Sequence, residues 1–95
     1  MLRLVSQPSM DKEQKLILQK KLGARLQQLR ESQKLALREL SYRCNLDHSK
    51  IGKIEKGRMN ITLNTLFELS DALQVHPRDL FEFDVEPVVA VAVAE

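Results

Sequence analysis

The sequence contains little of what several classes of protein require. Its single Cys excludes an internal disulfide and any zinc site built from several cysteines. It has no Trp and only 4% aromatic residues, so the core of such a small domain must be aliphatic. No apolar run approaches the roughly 18 residues of a membrane span, and the N-terminus lacks the apolar stretch of a secretory signal. We therefore expect a cytoplasmic protein with no membrane association.

Charge is unevenly distributed along the 95 residues. The net charge is only +2, from 15 Lys and Arg against 13 Asp and Glu. Residues 1–60, however, hold 14 basic and 6 acidic residues, and residues 61–95 hold 1 basic and 7 acidic residues, so the two parts carry +8 and −6. This separation indicates a basic working face on an otherwise balanced body.

The pattern of apolar residues predicts five helices. Asp11 and Gln14 form a capping-box sequence, which starts helix 1 over residues 11–32. Asp47, Thr62 and His76 are caps for three later helices, the last of which begins with Pro77. The predicted ranges are 37–44 for helix 2, 48–56 for helix 3, 63–73 for helix 4 and about 77–81 for helix 5.

The expected core follows from the same pattern. Asn45 is expected to end helix 2 in a left-handed conformation, and Gly57 to end helix 3. The inward residues are predicted to be Leu18, Leu22, Leu26 and Leu29 on helix 1, Leu37, Leu40 and Cys44 on helix 2, Ile51 and Ile54 on helix 3, and Leu63, Leu66, Leu69 and Leu73 on helix 4.

The two ends of the chain have different patterns. Residues 1–10 show no period and are predicted to be a flexible arm, so the domain is expected over residues 11–82. Residues 83–95 form a tail rich in Val and Ala, and the two alternate over residues 89–94, which is typical of a strand. Three interpretations of this tail remain open: disorder, pairing with a symmetry mate, or addition to a partner protein.

Helices 2 and 3 have the spacing of a helix-turn-helix, since only Asn45, Leu46 and Asp47 separate them. In such a unit the second helix enters the major groove of DNA, and exposed polar residues near its start read the bases. With Ile51 and Ile54 assigned to the core, that exposed face is predicted to contain His48, Ser49, Gly52, Lys53 and Lys56.

The stretch from Leu22 to Phe81 resembles the phage-repressor/Cro-type helix-turn-helix family. The resemblance covers about two-thirds of the chain and is strongest in three segments: IEKG at the end of helix 3, LNTLFELSDALQV, and HPRDLF. It implies an all-α, five-helix lambda-repressor-like domain, here with an extended N-terminal helix. It also implies a regulator, expected to be a repressor, that binds double-stranded operator DNA as a homodimer.

The resemblance assigns roles to particular residues. It implies base contacts from His48, Ser49, Gly52 and Lys53. It implies phosphate contacts from Lys56, Arg58 and Asn60, to which Arg38 and Arg43 on helix 2 and Lys50 on the flank of helix 3 are added. A structural ion pair between Arg30 and Glu55 is implied as well, and it would keep a carboxylate near the DNA neutralised.

Helix 2 departs from the family pattern. Ala36 and Leu37 stand where the family has a Ser or Thr cap and a phosphate-binding Gln, so both contacts are lost. The alternative function is therefore a protein-interaction module or an antitoxin that binds its partner through the tail. No catalytic, cofactor or metal site is predicted, because His48 and His76 lack clustered partners.

Overall fold

The computed structural model describes residues 10–85, which form four α-helices and a five-residue 3-10 helix. These are α1 (Lys12–Ser32), α2 (Leu37–Ser41), α3 (His48–Glu55), α4 (Leu63–Leu73) and the 3-10 helix Pro77–Phe81. No strand occurs between residues 10 and 85. The predicted all-α helix-turn-helix architecture is confirmed, but the fifth helix is a 3-10 helix, the form that short helical segments commonly take.

Most of the predicted arm and tail lie outside the described residues, which exclude 1–9 and 86–95. Residues 83–85 are described and form no strand. None of the helices within residues 10–85 is both long and apolar enough to cross a membrane.

Side chains cap the helices where the sequence predicted them. The Asp11 carboxylate accepts from the backbone N–H of Gln14 at 2.8 Å, and the Gln14 side chain accepts from the backbone N–H of Asp11 at 2.9 Å. The Thr62 hydroxyl accepts from the backbone N–H of Thr65 and caps α4, and His76 Nδ1 accepts from the backbone N–H of Arg78 and caps the 3-10 helix. Each cap satisfies a backbone donor that the first turn of a helix leaves free, so local sequence fixes these starting points.

The ends of two helices differ from the prediction. The second helix ends at Ser41 rather than Cys44, because the N–H of Arg43 bonds the carbonyl of Leu40 at 2.9 Å and tightens the chain into a turn. The third helix ends at Glu55, with Lys56 as its cap. The expected left-handed conformation of Asn45 is wrong, since the positive φ values in the described residues belong to Lys34, Gln74 and Gly57.

Every helical element contributes to one aliphatic core. Its most deeply buried side chains are Leu26, Leu40, Ile51, Leu69, Leu73 and Leu80. The prediction that Leu63 lies inside is wrong, because 65% of this residue is exposed. Leu63 shares a helix face with Phe67, four residues later, and this face lies to one side of the buried stripe of Leu66, Leu69 and Leu73.

Candidate nucleic-acid interface

The short third helix is fixed to the domain by its inner face. Ile51 and Ile54 are 0% and 2% exposed, as predicted, and Leu46 in the preceding turn is also buried. The Asp47 carboxylate accepts from the backbone N–H of Ser49 at 3.2 Å and so caps the first turn. Burial on one side and a cap at the start leave a single orientation for this helix, with its remaining face directed to solvent.

The four residues predicted to contact bases lie on that solvent-facing side. Ser49 and Lys53 are exposed, whereas His48 and Gly52 are partly exposed. The Nδ1 atom of His48 lies 3.7 Å from the Asp47 carboxylate. The structure therefore brings the four residues together on one short helix, within reach of a ligand as large as a DNA duplex.

The hydroxyl of Ser49 lies against the carboxylate of its neighbour Asp47. The hydroxyl donates to the Asp47 carboxylate, and this hydrogen bond lowers the pKa of Asp47 below its usual value. With its hydrogen engaged, the Ser49 oxygen presents acceptor lone pairs to solvent. It is therefore suited to a base that offers a donor.

Gly52 is not required for packing between helices. A Cβ atom built at this position would lie 3.6 Å from a methyl group of Leu37 on α2, an ordinary van der Waals distance. Glycine inside a helix costs about 0.5–1 kcal/mol relative to alanine. A glycine retained at this cost indicates close approach of either α2 or an external ligand. The distance to Leu37 excludes α2, so close approach to an external ligand remains.

A buried ion pair connects α1 to the end of the third helix. Arg30 donates through Nε and Nη2 to the two carboxylate oxygens of Glu55, at 2.6 and 3.0 Å, and through Nη1 to the carbonyl of Leu35 at 2.6 Å. The hydrogen bond to Glu55 raises the pKa of Arg30. The pairing implied by the family resemblance is thus present, with bidentate geometry that fixes one helix against the other.

The residues predicted to contact phosphate lie around the helix-turn-helix. Arg38, Lys56, Arg58 and Asn60 are exposed, and Lys50 is partly exposed. Arg43 is exposed as well, but it leans toward α4, with Nη1 3.5 Å from the carbonyl of Ala72. Within residues 10–85 none of the basic members of this set forms an ion pair with a carboxylate, so their charge is available to a ligand.

Two glycines position this surface: Gly23, to which the sequence assigned no role, and Gly57, which was predicted to end helix 3. A Cβ atom at Gly23 would collide with the carbonyl oxygens of Ile54 and Glu55, so glycine allows α1 to pack directly on the end of the third helix. Gly57 has a φ of 74° and turns the chain toward Arg58. A glycine within the helical pattern of residues 11–32 was a signal of close packing that could have been recognised.

Two other observations concern the start of α2 and Cys44 in the turn that follows it. Ala36 provides no side-chain cap, as predicted, but the side chain of Glu39 accepts from the Ala36 backbone N–H at 2.7 Å and partly replaces it. Cys44 is half-buried against the core, and burial raises the pKa of its thiol. Both findings are consistent with a structural role for this part of the chain.

Comparison with known proteins agrees with this geometry. The helix-turn-helix family model HTH_3 matches residues 26–80. The chain is similar to Control protein C.BamHI of Bacillus amyloliquefaciens, with 34% identity over 62 residues, which is 64% of this chain and 76% of that protein.

Two solved structures are also similar. The restriction-modification controller protein C.AhdI from Aeromonas hydrophila shares 37% identity and a TM-score of 0.64, over 65% of this chain and 94% of that one. The controller protein C.Esp1396I, solved as a tetramer with its natural 35-base-pair operator, shares 28% identity and a TM-score of 0.64, over 68% of this chain and 86% of that one. The chain belongs to the helix-turn-helix family of DNA-binding transcriptional regulators.

Proposed function

We propose that this protein is a repressor that binds a specific operator as a homodimer and inserts α3 into the major groove. The observation that carries the proposal is the division of this helix into two faces. Ile51, Ile54 and Glu55 are buried, whereas Ser49 and Lys53 project from the opposite side. The major groove admits one α-helix, and its base edges are read by polar side chains of this kind.

The proposed base contacts differ in their chemistry. Lys53 donates to O6 and N7 of guanine. Because the Ser49 hydroxyl already donates to Asp47, Ser49 accepts from the amino group of adenine or cytosine. Gly52 lies between them along the helix and lets the backbone approach the base edges. His48, at the start of the helix, contacts the base at the edge of the site.

Phosphate contacts supply the part of the affinity that does not depend on sequence. We assign them to the exposed ring of residues around the helix-turn-helix: Arg38, Arg43, Lys50, Lys56, Arg58 and Asn60. The acidic residues of α4 and the segment after it lie outside this ring. Each neutralised phosphate releases counterions, so affinity should fall steeply as salt rises.

The homodimer is proposed to form through the exposed apolar face of α4. Leu63 and Phe67 are 65% and 46% exposed, and the side chains lie one turn apart. Paired large apolar side chains on a surface commonly mark a protein interface. The operator-bound tetramer of C.Esp1396I supports an oligomer on DNA as the active form. The half-sites should lie about one helical turn, roughly 10 base pairs, apart.

Selection of sites from a random DNA pool, followed by anisotropy titrations, tests this function. The selected duplex should bind at least about 10³-fold more tightly than a scrambled duplex of the same composition. For both duplexes, the logarithm of the binding constant should fall linearly with the logarithm of salt concentration. Equal affinity for the two duplexes at every salt concentration would contradict sequence-specific binding.

The Arg58→Ala variant tests the division between phosphate and base contacts. It should weaken binding to the selected and scrambled duplexes by the same factor and reduce the salt slope by about 1. A matched control is Arg78→Ala, an exposed Arg on the 3-10 helix outside the proposed interface. If the control changed the slope as much as Arg58→Ala, the assignment of Arg58 would be wrong.

A further inference from the structure

An apolar groove lies away from the proposed base-reading face, between α1 and the segment that follows the 3-10 helix. Its volume is about 360 Å³. Leu18 and Leu22 of α1 line it together with Phe81, Phe83 and Val85, and Lys15 lies at its edge. Residues 12–25 and 81–85 lie outside the family match to residues 26–80.

The chain after the 3-10 helix is anchored beside this groove. Arg25 donates through Nε to the carbonyl of Asp79 at 2.7 Å, and its guanidinium lies 3.6 Å from the Glu82 carboxylate. The Lys21 ammonium donates to the carbonyl of Asp84 at 2.6 Å. These contacts hold Val85, the last described residue, at the groove.

The chemistry of the residues that come next matches the groove. Residues 88–94 consist entirely of Val and Ala, and small apolar side chains suit a shallow apolar cleft. Charge is complementary too. The N-terminal half of α1, residues 12–21, has four Lys and one Glu, whereas residues 86–95 have two acidic residues and no basic ones.

From this juxtaposition we propose that residues 86–95 of the same chain dock into the groove, with Val side chains against Leu18 and Leu22. Burial of Val methyl groups and of the groove wall drives the docking. Because Val85 already lies at the groove, the segment is held there at a high effective concentration, which favours its own groove over that of a second copy. The groove meets the proposed phosphate-contacting residues only at Asn60, and docking is measured in the free protein, so the proposal stands or falls separately from the operator-binding function.

Methyl nuclear Overhauser effects (NOEs) in the full-length chain, with Val and Leu methyl groups labelled, test the docking. The proposal predicts NOEs from the Val methyls of residues 88–93 to the methyls of Leu18 and Leu22. They should disappear in Leu18→Lys, which places a charge in the groove. They should persist in the matched control Ile17→Lys, at a neighbouring residue that is 47% exposed and does not line the groove.

A second sample distinguishes the chain's own segment from that of a neighbour. It mixes two differently labelled copies and detects only NOEs between copies. NOEs from the Val segment to Leu18 that appear in this sample would overturn docking within one chain and assign the groove to a second copy. The absence of these NOEs from both wild-type samples would overturn the proposal entirely, whether or not the Lys variants fold.

Discussion

The third and fourth helices are built alike on the inside and differently on the outside. Both start at a side-chain cap, Asp47 or Thr62, and both bury an aliphatic stripe in the same core. The outward face of α3 holds Ser49, Lys53 and a glycine. The outward side of α4 holds Leu63, Phe67 and acidic residues, and no basic residue occurs anywhere in that helix.

This difference separates what the fold requires from what the function requires. The aliphatic side chains of the inner stripes can be exchanged for others, because any well-packed aliphatic set of similar volume would support the domain. The outer faces are not, because a cationic polar surface suits a polyanion and an apolar surface suits a protein. The contrast therefore supports the proposal that α3 contacts DNA and α4 contacts a second subunit.

The largest expected effect comes from the one charged side chain on the inner face of the third helix. Glu55→Ala leaves Arg30 buried without its partner, so stability should fall by about 3–5 kcal/mol in urea unfolding. The control is Glu31→Ala, which removes an exposed carboxylate 3.7 Å from the same guanidinium and should cost at most about 1 kcal/mol. Equal losses in the two variants would show that burial of the Arg30–Glu55 pair does not matter.

The Leu63→Glu variant tests the outer face of α4 and should have the next largest effect. It places a charge in the proposed apolar interface, at a helix N-terminus where Glu is compatible with folding. The dimer dissociation constant measured by sedimentation should rise about 30-fold, corresponding to a loss of about 2 kcal/mol. Asn64→Glu adds the same charge at the adjacent exposed position. If it weakened the dimer as much as Leu63→Glu, the effect would come from charge and not from this face.

Lys53→Ala tests the outer face of the third helix. Loss of its guanine contact should reduce discrimination between the selected duplex and one altered at the contacted base pair by about 1–3 kcal/mol. The free energy of unfolding should not change, since Lys53 is exposed. Competition anisotropy measures this discrimination. Undiminished discrimination, with affinity reduced equally for both duplexes, would reassign Lys53 to phosphate.

The smallest expected effect is that of Gly52→Ala, which should raise stability and lower the affinity for DNA. Gly52→Ala should raise stability by about 0.5–1 kcal/mol, because the new methyl group meets only Leu37 at an ordinary distance. Its affinity for the selected duplex should nevertheless fall, because the methyl group separates the helix backbone from the bases. Thermal unfolding and anisotropy on one preparation give both values. A variant that gains stability and keeps full affinity would show that DNA does not approach this position closely.

Much of this arrangement could be predicted from sequence because the determinants are local. The caps at Asp11, Asp47, Thr62 and His76 and the stripe of Leu66, Leu69 and Leu73 depend on neighbours a few residues away. Arg30 and Glu55, in contrast, are 25 residues apart in the sequence, and only the family resemblance suggested that they pair.

The predictions that were wrong concern residues whose burial or backbone conformation depends on tertiary packing. Leu63 fits a helical apolar pattern, yet its face lies beside the core rather than against it. Asn45 tolerates a left-handed backbone, but the turn after Ser41 closes without one. Gly23 signals that another element packs closely against α1, but which element it is depends on how two helices cross, and no local pattern encodes that. The DNA contacts themselves remain predictions.

NOEs between protein and DNA in the complex with the selected duplex test the central claim most directly. The account predicts contacts from Ser49, Gly52 and Lys53 to major-groove protons, namely thymine methyl groups and cytosine H5, and none from α4 to any base. Contacts confined to minor-groove protons, or base contacts from α4 in place of α3, would contradict it.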